Sequence, residues 1–460
     1  MAIEDTSLIA EVNAILGSRE TIRFKRPVAE LRTENDTIPI IKIMALEIRR
    51  HYSTSHSDVV FADVIIPEGV FNYRVFPNRE NLIMTIFMYP TQGLYQDGME
   101  DEPIDTQSFR AILHTEGSKV IEGDSMMQLD EAAMDISTIR QHRFELIDLT
   151  AEQMRLMTVG TVLRDTTPEE GLKYLMSHVS SQVEVEDELT VQGVDVVPMD
   201  HTETLKQFVI PHGTPVTDLA DLFQNSVGLY GTGVGTYLQK GIWYVYPLYD
   251  HTRFEKSERT LTLIRVPPRR LAGVDRTYRK TANQTIALCT GQVASIDVTE
   301  DAYLNQGNGV RFANPDRLFK AFGVSDQNKT TAMRNEVVSE AITVERKTEL
   351  NFAPFADDQV TKNPFRQLSS LASRAGSFIT LLWDYSDVDS IYPGQPVRFM
   401  YEANNEVFET DGIVLEAIHV YMSGQPGVIA GAYTSQTALL IYVNRKLDWL
   451  ENENESGETS

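Results

Sequence analysis

The chain has 460 residues, a formal net charge of −25 at pH 7 and an apolar fraction of 42%. This length predicts two to four domains, and the apolar fraction is sufficient for ordinary globular cores. Because so acidic a surface repels nucleic-acid phosphates, direct nucleic-acid binding is not expected.

The sequence shows no sign of export or membrane insertion. Cys289 is the single cysteine, so no disulfide framework can form within the chain, which fits a reducing cytosol. The N-terminal stretch is acidic and lacks a continuous apolar core, so no signal peptide is predicted. No run of about 18 apolar residues occurs, so no membrane-spanning helix is expected.

The first third of the chain begins with a short helix and continues as strands. Apolar residues at helical spacing predict an amphipathic helix over residues 1–17, with Gly17 as its stop signal. Turns are predicted at Pro67–Gly69 and at Pro77–Asn81, and residues 93–105 form a loop rich in glycine and acidic residues. The strand-like runs are 38–50, 58–66, 81–89, 109–114 and 143–149.

The run Asn81–Tyr89 is informative because both of its faces are apolar. One face carries Leu82, Met84, Ile86 and Met88, and the other carries Ile83, Phe87 and Tyr89. A strand with two apolar faces must be covered on both. The run therefore indicates a closed barrel, a sandwich, or a sheet whose outer face is buried on another subunit. It favours assembly over catalysis.

The middle of the chain combines helices with strands. Thr167, Pro168 and Glu170 form a capping box that predicts a helix with one apolar face. Thr214-Pro215 predicts a second helix that ends near Asn225. Two strands, Tyr237–Tyr249 and Arg259–Val266, are expected after the glycine-rich run 228–236.

The last third is strand-rich again. Arg398–Tyr401 and Glu406–Glu409 predict a hairpin, and Gly412–Met422 and Ala438–Val443 are long alternating runs. The polar tail after residue 445 is predicted to be disordered. The chain therefore has two β-rich ends around a mixed module. The predicted domains are 1–148, 149–290 and 291–445, followed by the acidic tail 446–460.

Motifs that would carry chemistry are weak. In GLYGTGVGT (228–236) a helix precedes the glycines and a strand follows, which reverses the order of a phosphate-binding loop, so a connector is favoured. Cys289 lies in an apolar strand and is interpreted as a core residue. The histidines are scattered and lack the spacing of a metal motif. No catalytic, cofactor-binding or metal-binding residue is predicted.

Three clusters of residues each allow more than one interpretation of their role. Asp384, Asp387 and Asp389 resemble part of a cation loop, but a calcium loop also needs a glycine and a terminal glutamate, so a solvated turn is favoured. The basic residues between 265 and 280 suit a solvated or interfacial patch better than a phosphate site. The aromatic run 243–249, which includes Trp243, suits a sugar platform, a buried sheet or a subunit contact, and the last two are favoured.

Three stretches resemble the central baseplate hub proteins of contractile-tailed bacteriophages. They are IIPEGVFNYRVFPNRENLIMTI (65–86), LTAEQMRLMTVGTVLRDTTPEEGLKYLM (149–176) and PGQPVRFMYEANNEVFETDGIVLEAIHVYM (393–422). The resemblance implies an α+β, β-rich fold in which two tail-tube-like antiparallel β-barrels flank a mixed α/β module. It also implies a homotrimer without cofactors. Its ring would adapt a sixfold tail tube to a threefold central spike in the virion tail baseplate, assembled in host cytoplasm.

Under this hypothesis the functional residues are contacts between subunits. The candidates from the β-rich ends are Phe87, Tyr89, Phe399, Tyr401 and Tyr421. Arg269, in the basic stretch, is expected to face the acidic surface of a neighbour. The alternative functions are an accessory virion protein that contacts a receptor or glycan through the aromatic run and, less favoured, a cell-wall hydrolase.

Overall fold

The computed structural model describes most of the chain. The described residues are 5–17, 23–34, 36–92, 102–114, 139–183, 191–271, 274, 276–291, 372–373, 376–403, 406–424 and 433–443. The predicted tail 446–460, most of the predicted acidic loop 93–105 and the early part of the predicted third domain lie outside these residues.

In its described residues, the first β-rich part has two α-helices and seven strands. Its elements are α1 (Asp5–Gly17), β1 (Arg23–Arg32), β2 (Thr37–Pro39), β3 (Lys42–His51), β4 (Val59–Pro67), α2 (Glu68–Val70), β5 (Ile83–Gln92), β6 (Asp105–Leu113) and β7 (Ile139–Asp148). The predicted N-terminal helix and the predicted strands of this region are confirmed.

The segment between β4 and β5 differs from the two predicted turns. It is one helical insertion, in which α2 continues as a π-helical turn (Phe71–Val75) and a 3-10 turn (Phe76–Asn78). Phe71 and Val75, four residues apart, are buried in the hydrophobic core of the first β-rich part. The sequence has no helical period long enough to reveal so short an insertion.

The middle module has three α-helices and five strands in the part that the structure describes. Its elements are α3 (Leu149–Leu156), β8 (Thr158–Thr166), α4 (Pro168–Ser180), β9 (Gly193–Val196), β10 (Leu205–Pro215), α5 (Leu219–Val227), β11 (Val234–Gln239) and β12 (Ile242–Pro247). The predicted capping box is present at the start of α4, where Thr167 and Glu170 bond each other's backbone N–H groups. Strands β8 and β10 form a two-stranded sheet, and β11, β12 and β9 form a second sheet.

Among the described residues, the second β-rich part has one α-helix and seven strands. Its elements are β13 (Thr260–Arg265), α6 (Pro268–Leu271), β14 (Tyr278–Lys280), β15 (Gln284–Cys289), β16 (Ser377–Asp384), β17 (Pro396–Ala403), β18 (Glu406–Ser423) and β19 (Tyr433–Val443). The predicted hairpin is confirmed, because β17 and β18 pair antiparallel from Ala403–Glu406 onwards.

One continuous sheet joins the two β-rich parts. Its order is β14-β15-β13-β17-β18-β3-β4-β7-β6-β5-β1-β2, with β19 also paired to β18 and β16 paired to β19. Strand β18 is the link, because its first half pairs with β17 and its second half pairs with β3 of the other part. A register shift between Val414 and Glu416 separates the two halves.

The fold is β-rich α+β, as the sequence predicts, but two pairings differ from the expected antiparallel arrangement. Strand β13 is parallel to both of its neighbours, β15 and β17. Parallel neighbours need long connections, and the chain supplies them on both sides of β15. The backbone of Thr290, after β15, exchanges hydrogen bonds of 2.8 and 2.7 Å with Leu382 of β16. The arrangement as two barrels stays a prediction.

Strands β13 and β15 fall inside the predicted middle module, yet they pair within the main sheet. The predicted boundary near residue 290 therefore separates strands that are neighbours in space, and the domain limits stay a prediction. In the part of the chain that the structure describes, no helix has the length and apolar character needed to cross a bilayer.

Candidate functional site

The two β-rich parts and the middle module meet at the turn between β16 and β17. Six charged side chains from five elements or turns converge on this turn, and we call them the junction cluster: Lys25, Asp105, Lys240, Lys280, Asp387 and Asp389. Each part of the molecule contributes at least one of them. The cluster is therefore the best candidate for a site that fixes the parts relative to one another.

Asp387 lies at the centre of the cluster, and its side chain is 12% exposed. Lys25 of β1 donates to Oδ1 at 3.0 Å, and Lys280 of β14 donates to Oδ2 at 2.7 Å. The same carboxylate accepts hydrogen bonds from the backbone N–H of Asp389 and from the hydroxyl of Ser390. These local bonds close a 3-10 turn and hold the carboxylate towards the two lysines.

Lys240, in the tight turn between β11 and β12, links the middle module to both β-rich parts. Its Nζ lies 2.6 Å from Oδ2 of Asp105 on β6 and 2.8 Å from Oδ1 of Asp389. Asp389 also pairs with Lys25 of β1. One lysine thus bridges two carboxylates that belong to different β-rich parts.

The mutual pairing keeps these groups charged. Burial by itself would raise the pKa of Asp387, but the positive charges of Lys25 and Lys280 outweigh it and hold the pKa at about 2. Lys25 and Lys240 likewise hold the pKa of Asp389 well below its usual range, against the opposing effect of burial. The pKa of Lys25 is raised despite burial, by Tyr421 and the two carboxylates.

Arg50 of β3 anchors the backbone of the same turn and is 2% exposed. It donates to the carboxylate of Asp58 and to the carbonyl of Val388, each at 3.1 Å. From the middle module, Tyr237 donates to Asp58 at 2.9 Å, and Gln239 donates to the carbonyl of Ile391 at 3.2 Å. Hydrogen bonds from the first β-rich part and from the middle module therefore hold one short turn of the second β-rich part.

These observations correct the sequence interpretation of the acidic turn. Asp387 is largely shielded from solvent and Asp389 is partly exposed, but both are paired with lysines, whose ammonium groups occupy the positions that a metal cation would take. No group of three or more metal-ligating residues occurs among the described residues. The cavity beside the cluster measures about 30 Å³, room for a water or two and no larger ligand. The lysines lie 107 to 362 residues away in sequence, so no local motif reveals them.

The predicted contact residues fall into two groups. Phe399, Tyr401 and Tyr421 are buried within their own subunit, the first two in the core of the second β-rich part and the third in that of the first. Phe87 and Tyr89 are half-buried on the outer face of β5, and Arg269 is exposed on α6. Only this second group presents side-chain surface to a neighbour.

The aromatic run is mostly internal. Trp243 is 1% exposed and its indole N–H donates to the hydroxyl of Ser180 at 3.3 Å. Tyr246 is buried between the middle module and the second β-rich part, where its hydroxyl donates to the carbonyl of Tyr52. The preferred interpretation as a buried sheet is confirmed for these two residues, and Trp243 offers no sugar platform.

The remaining sequence candidates are core residues. Cys289 is fully buried, and burial raises the pKa of its thiol, which disfavours the nucleophilic thiolate. His419 is also buried, with a pKa of about 3 because burial disfavours the charged ring. Its Nδ1 lies 2.6 Å from the hydroxyl of Thr437. Both residues match the structural interpretation made from the sequence.

No protein-family model matches the chain, and no curated protein matches it either. Solved structures do show similar folds. A tail protein from Neisseria meningitidis is 11% identical, with a TM-score of 0.41, over 91% of this chain and 96% of that one. The 43 kDa tail protein of prophage MuSo2 from Shewanella oneidensis is 10% identical, with a TM-score of 0.38, over 90% and 96%.

A further similar structure is an Escherichia coli protein described as a component of the type VI secretion system. It is 9% identical, with a TM-score of 0.36, over 89% of this chain and 76% of that one. Phage P2 baseplate structures also occur among the neighbours. The structural neighbours thus include phage tail and baseplate proteins, the class that the sequence resemblance names. With TM-scores below 0.5, they assign no role to any residue here.

Proposed function

We propose that the chain is a structural virion protein that forms the central hub ring of a phage tail baseplate. The observation that carries this proposal is the fusion of two β-rich parts into one body, through the β3–β18 pairing and the junction cluster. Three copies of such a body supply six β-rich units arranged with threefold symmetry. That geometry suits an adaptor between a sixfold tube and a threefold spike.

The two-barrel architecture is part of this proposal. The hydrogen-bonded bridge between Thr290 and Leu382 supports closure of the second β-rich part, because it joins the end of β15 to β16. The half-buried outer faces of the sheet support burial on neighbouring copies. The role is structural and includes no catalytic step, so neither a cofactor nor a metal is part of it.

The size of the particle tests the proposal directly. We expect the purified protein to form trimers in mass photometry, and to join tail-tube and spike proteins in a ring visible by electron microscopy. A strictly monomeric protein that also fails to join either partner would contradict the hub role.

Of the six predicted contact residues, the proposal keeps the three with accessible side chains, which are Phe87, Tyr89 and Arg269. Replacing both Phe87 and Tyr89 with serine is expected to weaken the trimer at least tenfold while leaving the subunit folded. Tyr73→Ser is a matched control, because Tyr73 is exposed on the helical insertion instead of the outer face of β5. Arg269→Glu is expected to weaken assembly through lost charge complementarity. An unchanged trimer in both variants would remove these contacts from the proposal.

A further inference from the structure

A second feature of the middle module is a cleft of about 880 Å³ against the second β-rich part. Its walls come from β9, β12, the segment between β12 and β13, and the loop before β17. About half of its lining residues are charged or carry a serine or threonine hydroxyl, and four more are tyrosines. Its volume is in the range of small-molecule sites. The polar lining indicates a ligand rich in hydrogen-bonding groups.

Two tyrosines form an aromatic wall of the cleft. Trp243 of β12 is buried in the core of the middle module, so the next residue, Tyr244, points to the opposite face of the strand and lines the cleft. Tyr392 approaches it from the loop before β17, with ring centroids 6.4 Å apart and ring planes inclined by 30°. The hydroxyl of Tyr392 donates to the carbonyl of Arg259 at 3.0 Å, which fixes its ring. Both rings are partly exposed and therefore accessible to a ligand.

Charged side chains lie around this tyrosine pair. Asp195 of β9 stands directly across from Tyr244 in the register of the two strands. Burial raises the pKa of both tyrosine hydroxyls, and the negative charge of Asp195 raises it further, whereas the positive charge of Arg259 lowers it. Burial lowers the pKa of Arg253, and the charge of Asp195 opposes this effect. These mutual effects indicate that the three charged groups are close to the two rings.

Several polar groups of the cleft have no hydrogen-bond partner in the described part of the chain. They include the hydroxyl of Tyr244, the carboxylate of Asp195 and the guanidinium of Arg259. The hydroxyl of Thr232 is also without a partner there, and its oxygen is buried. Buried polar atoms are ordinarily hydrogen-bonded, since leaving one unpaired is destabilising. A ligand that both donates and accepts hydrogen bonds would satisfy all four groups.

The charges of the cleft favour a neutral ligand over an ionic one. Four carboxylates and three cations line it: Asp195, Asp200, Asp250, Glu258, Arg253, Lys256 and Arg259. Two of the carboxylates are used locally, because Asp200 accepts from the backbone N–H of Gly231 and Asp250 accepts from Thr252. An anion would be repelled by the carboxylates, and a cation would be repelled by the basic groups. A hydroxyl group suits both, since it donates to a carboxylate and accepts from a guanidinium or ammonium group.

We propose that the cleft binds a neutral oligosaccharide, whose sugar rings pack on Tyr244 and Tyr392 and whose hydroxyls bond to Asp195, Arg259 and Thr232. The C–H face of a sugar ring carries a slight positive charge, which the negative face of a tyrosine ring attracts. A peptide would need apolar pockets for its anchor side chains, and aliphatic residues are a minority of this lining. This site goes beyond the proposed hub role and uses none of the trimer contact residues, so its failure would leave that role intact.

Saturation-transfer difference NMR on the full-length protein tests the proposal. The probes are three neutral trisaccharides, maltotriose, cellotriose and chitotriose, and the anionic trigalacturonate of the same length. We expect saturation transfer to at least one neutral trisaccharide, strongest at its ring C–H protons, with a dissociation constant of about 1 mM or tighter. We expect none to trigalacturonate. The neutral probes differ in linkage and N-acetylation, so the tightest of them identifies the chemical type of the glycan.

Substitutions in the aromatic wall sharpen the test. Tyr244→Ala and Tyr392→Ala are each expected to weaken binding roughly tenfold, and Tyr174→Ala is the matched control, because Tyr174 is exposed on α4 and stacks on His178 outside the cleft. Where circular dichroism shows that an alanine variant is unfolded, Tyr244→Phe and Asp195→Asn decide, each with an expected loss of roughly threefold. No transfer to any neutral trisaccharide would overturn the proposal. Equal transfer to trigalacturonate, or unchanged affinity in the folded cleft variants, would also overturn it.

Discussion

The junction cluster and a cleft lined by β9, β12 and the segment between β12 and β13 both border the middle module, and both combine tyrosines with charged groups, but their charges are satisfied differently. At the junction, Lys25, Lys240 and Lys280 each lie within 3.0 Å of a carboxylate. In the cleft, the side-chain nitrogens of Arg253, Lys256 and Arg259 have no carboxylate of the described residues within 4.0 Å. The paired charges at the junction hold parts of the molecule together, and the cations of the cleft do not. Paired buried charges penalise any separation of the parts that hold them.

The largest effect is expected from removing Arg50. Arg50→Met removes the buried guanidinium that links Asp58 to the Val388 carbonyl, so that Asp58 keeps only the hydroxyl of Tyr237 and the carbonyl keeps only the backbone N–H of Ile391 among the described residues. We expect a loss of about 3–5 kcal/mol in the free energy of unfolding. Urea denaturation measures it. The neighbouring variant Arg49→Met is the control, because Arg49 is partly exposed and its pair with Glu47 contributes about 1 kcal/mol or less. Equal losses in both variants would contradict the anchoring role.

A smaller loss is expected from neutralising the centre of the cluster. Asp387→Asn keeps the shape of the side chain but removes the charge that faces Lys25 and Lys280. We expect a loss of about 2–3 kcal/mol, in the range of hydrogen bonds to charged groups. Asp384→Asn, in the same acidic run, is the control, because the Asp384 carboxylate accepts from the neutral side-chain amide of Gln436 and from no cation of the described residues. If Asp384→Asn lowers the free energy of unfolding as much as Asp387→Asn does, the junction cluster does not stabilise the fold more than a surface carboxylate.

The titration of Asp387 should also be visible in the pH dependence of the free energy of unfolding. The pKa of Asp387 falls from 3.8 to about 2 on folding. Its contribution is therefore complete above pH 4 and is lost as the pH falls from about 4 to 2. The shift corresponds to about 2 kcal/mol. Unfolding free energies measured from pH 5 to pH 2 should fall less steeply in Asp387→Asn. Parallel curves for the two proteins would contradict the assigned pKa.

The smallest effect is expected in the cleft. Lys256 and Arg259 are exposed and have no partner among the described residues, so Lys256→Glu/Arg259→Glu should change the free energy of unfolding by less than about 0.5 kcal/mol. Urea denaturation of this variant and of the unmodified protein measures the change. A loss comparable to that of Asp387→Asn would mean that the cations of the cleft stabilise the fold as much as the junction cluster does.

Local signals in the sequence predict the elements well, but not the junction. The capping box at Thr167 and the hairpin around residue 404 depend on neighbours within a few positions, and both are present. The partners of Asp387 are distant in sequence, and lysines are ordinarily surface residues, so no pattern indicates that Lys25 and Lys280 are placed beside it.

The sequence also could not show which of the predicted contact residues are buried within their own subunit. Phe399, Tyr401 and Tyr421 look the same in sequence as Phe87 and Tyr89, since all lie in alternating strands. Which face of a strand turns inward depends on its register with distant strands. For β18 that register is set by β3, from the other end of the chain.

Strand β18 also constrains how the chain is made. Its second half covers the edge of β3, which leaves the ribosome hundreds of residues earlier. During synthesis that edge stays open, with unpaired N–H and C=O groups available to other nascent chains. The N-terminal half therefore cannot complete its sheet co-translationally. Yield in the host should depend on chaperone capacity and on the speed at which the last fifth of the message is translated.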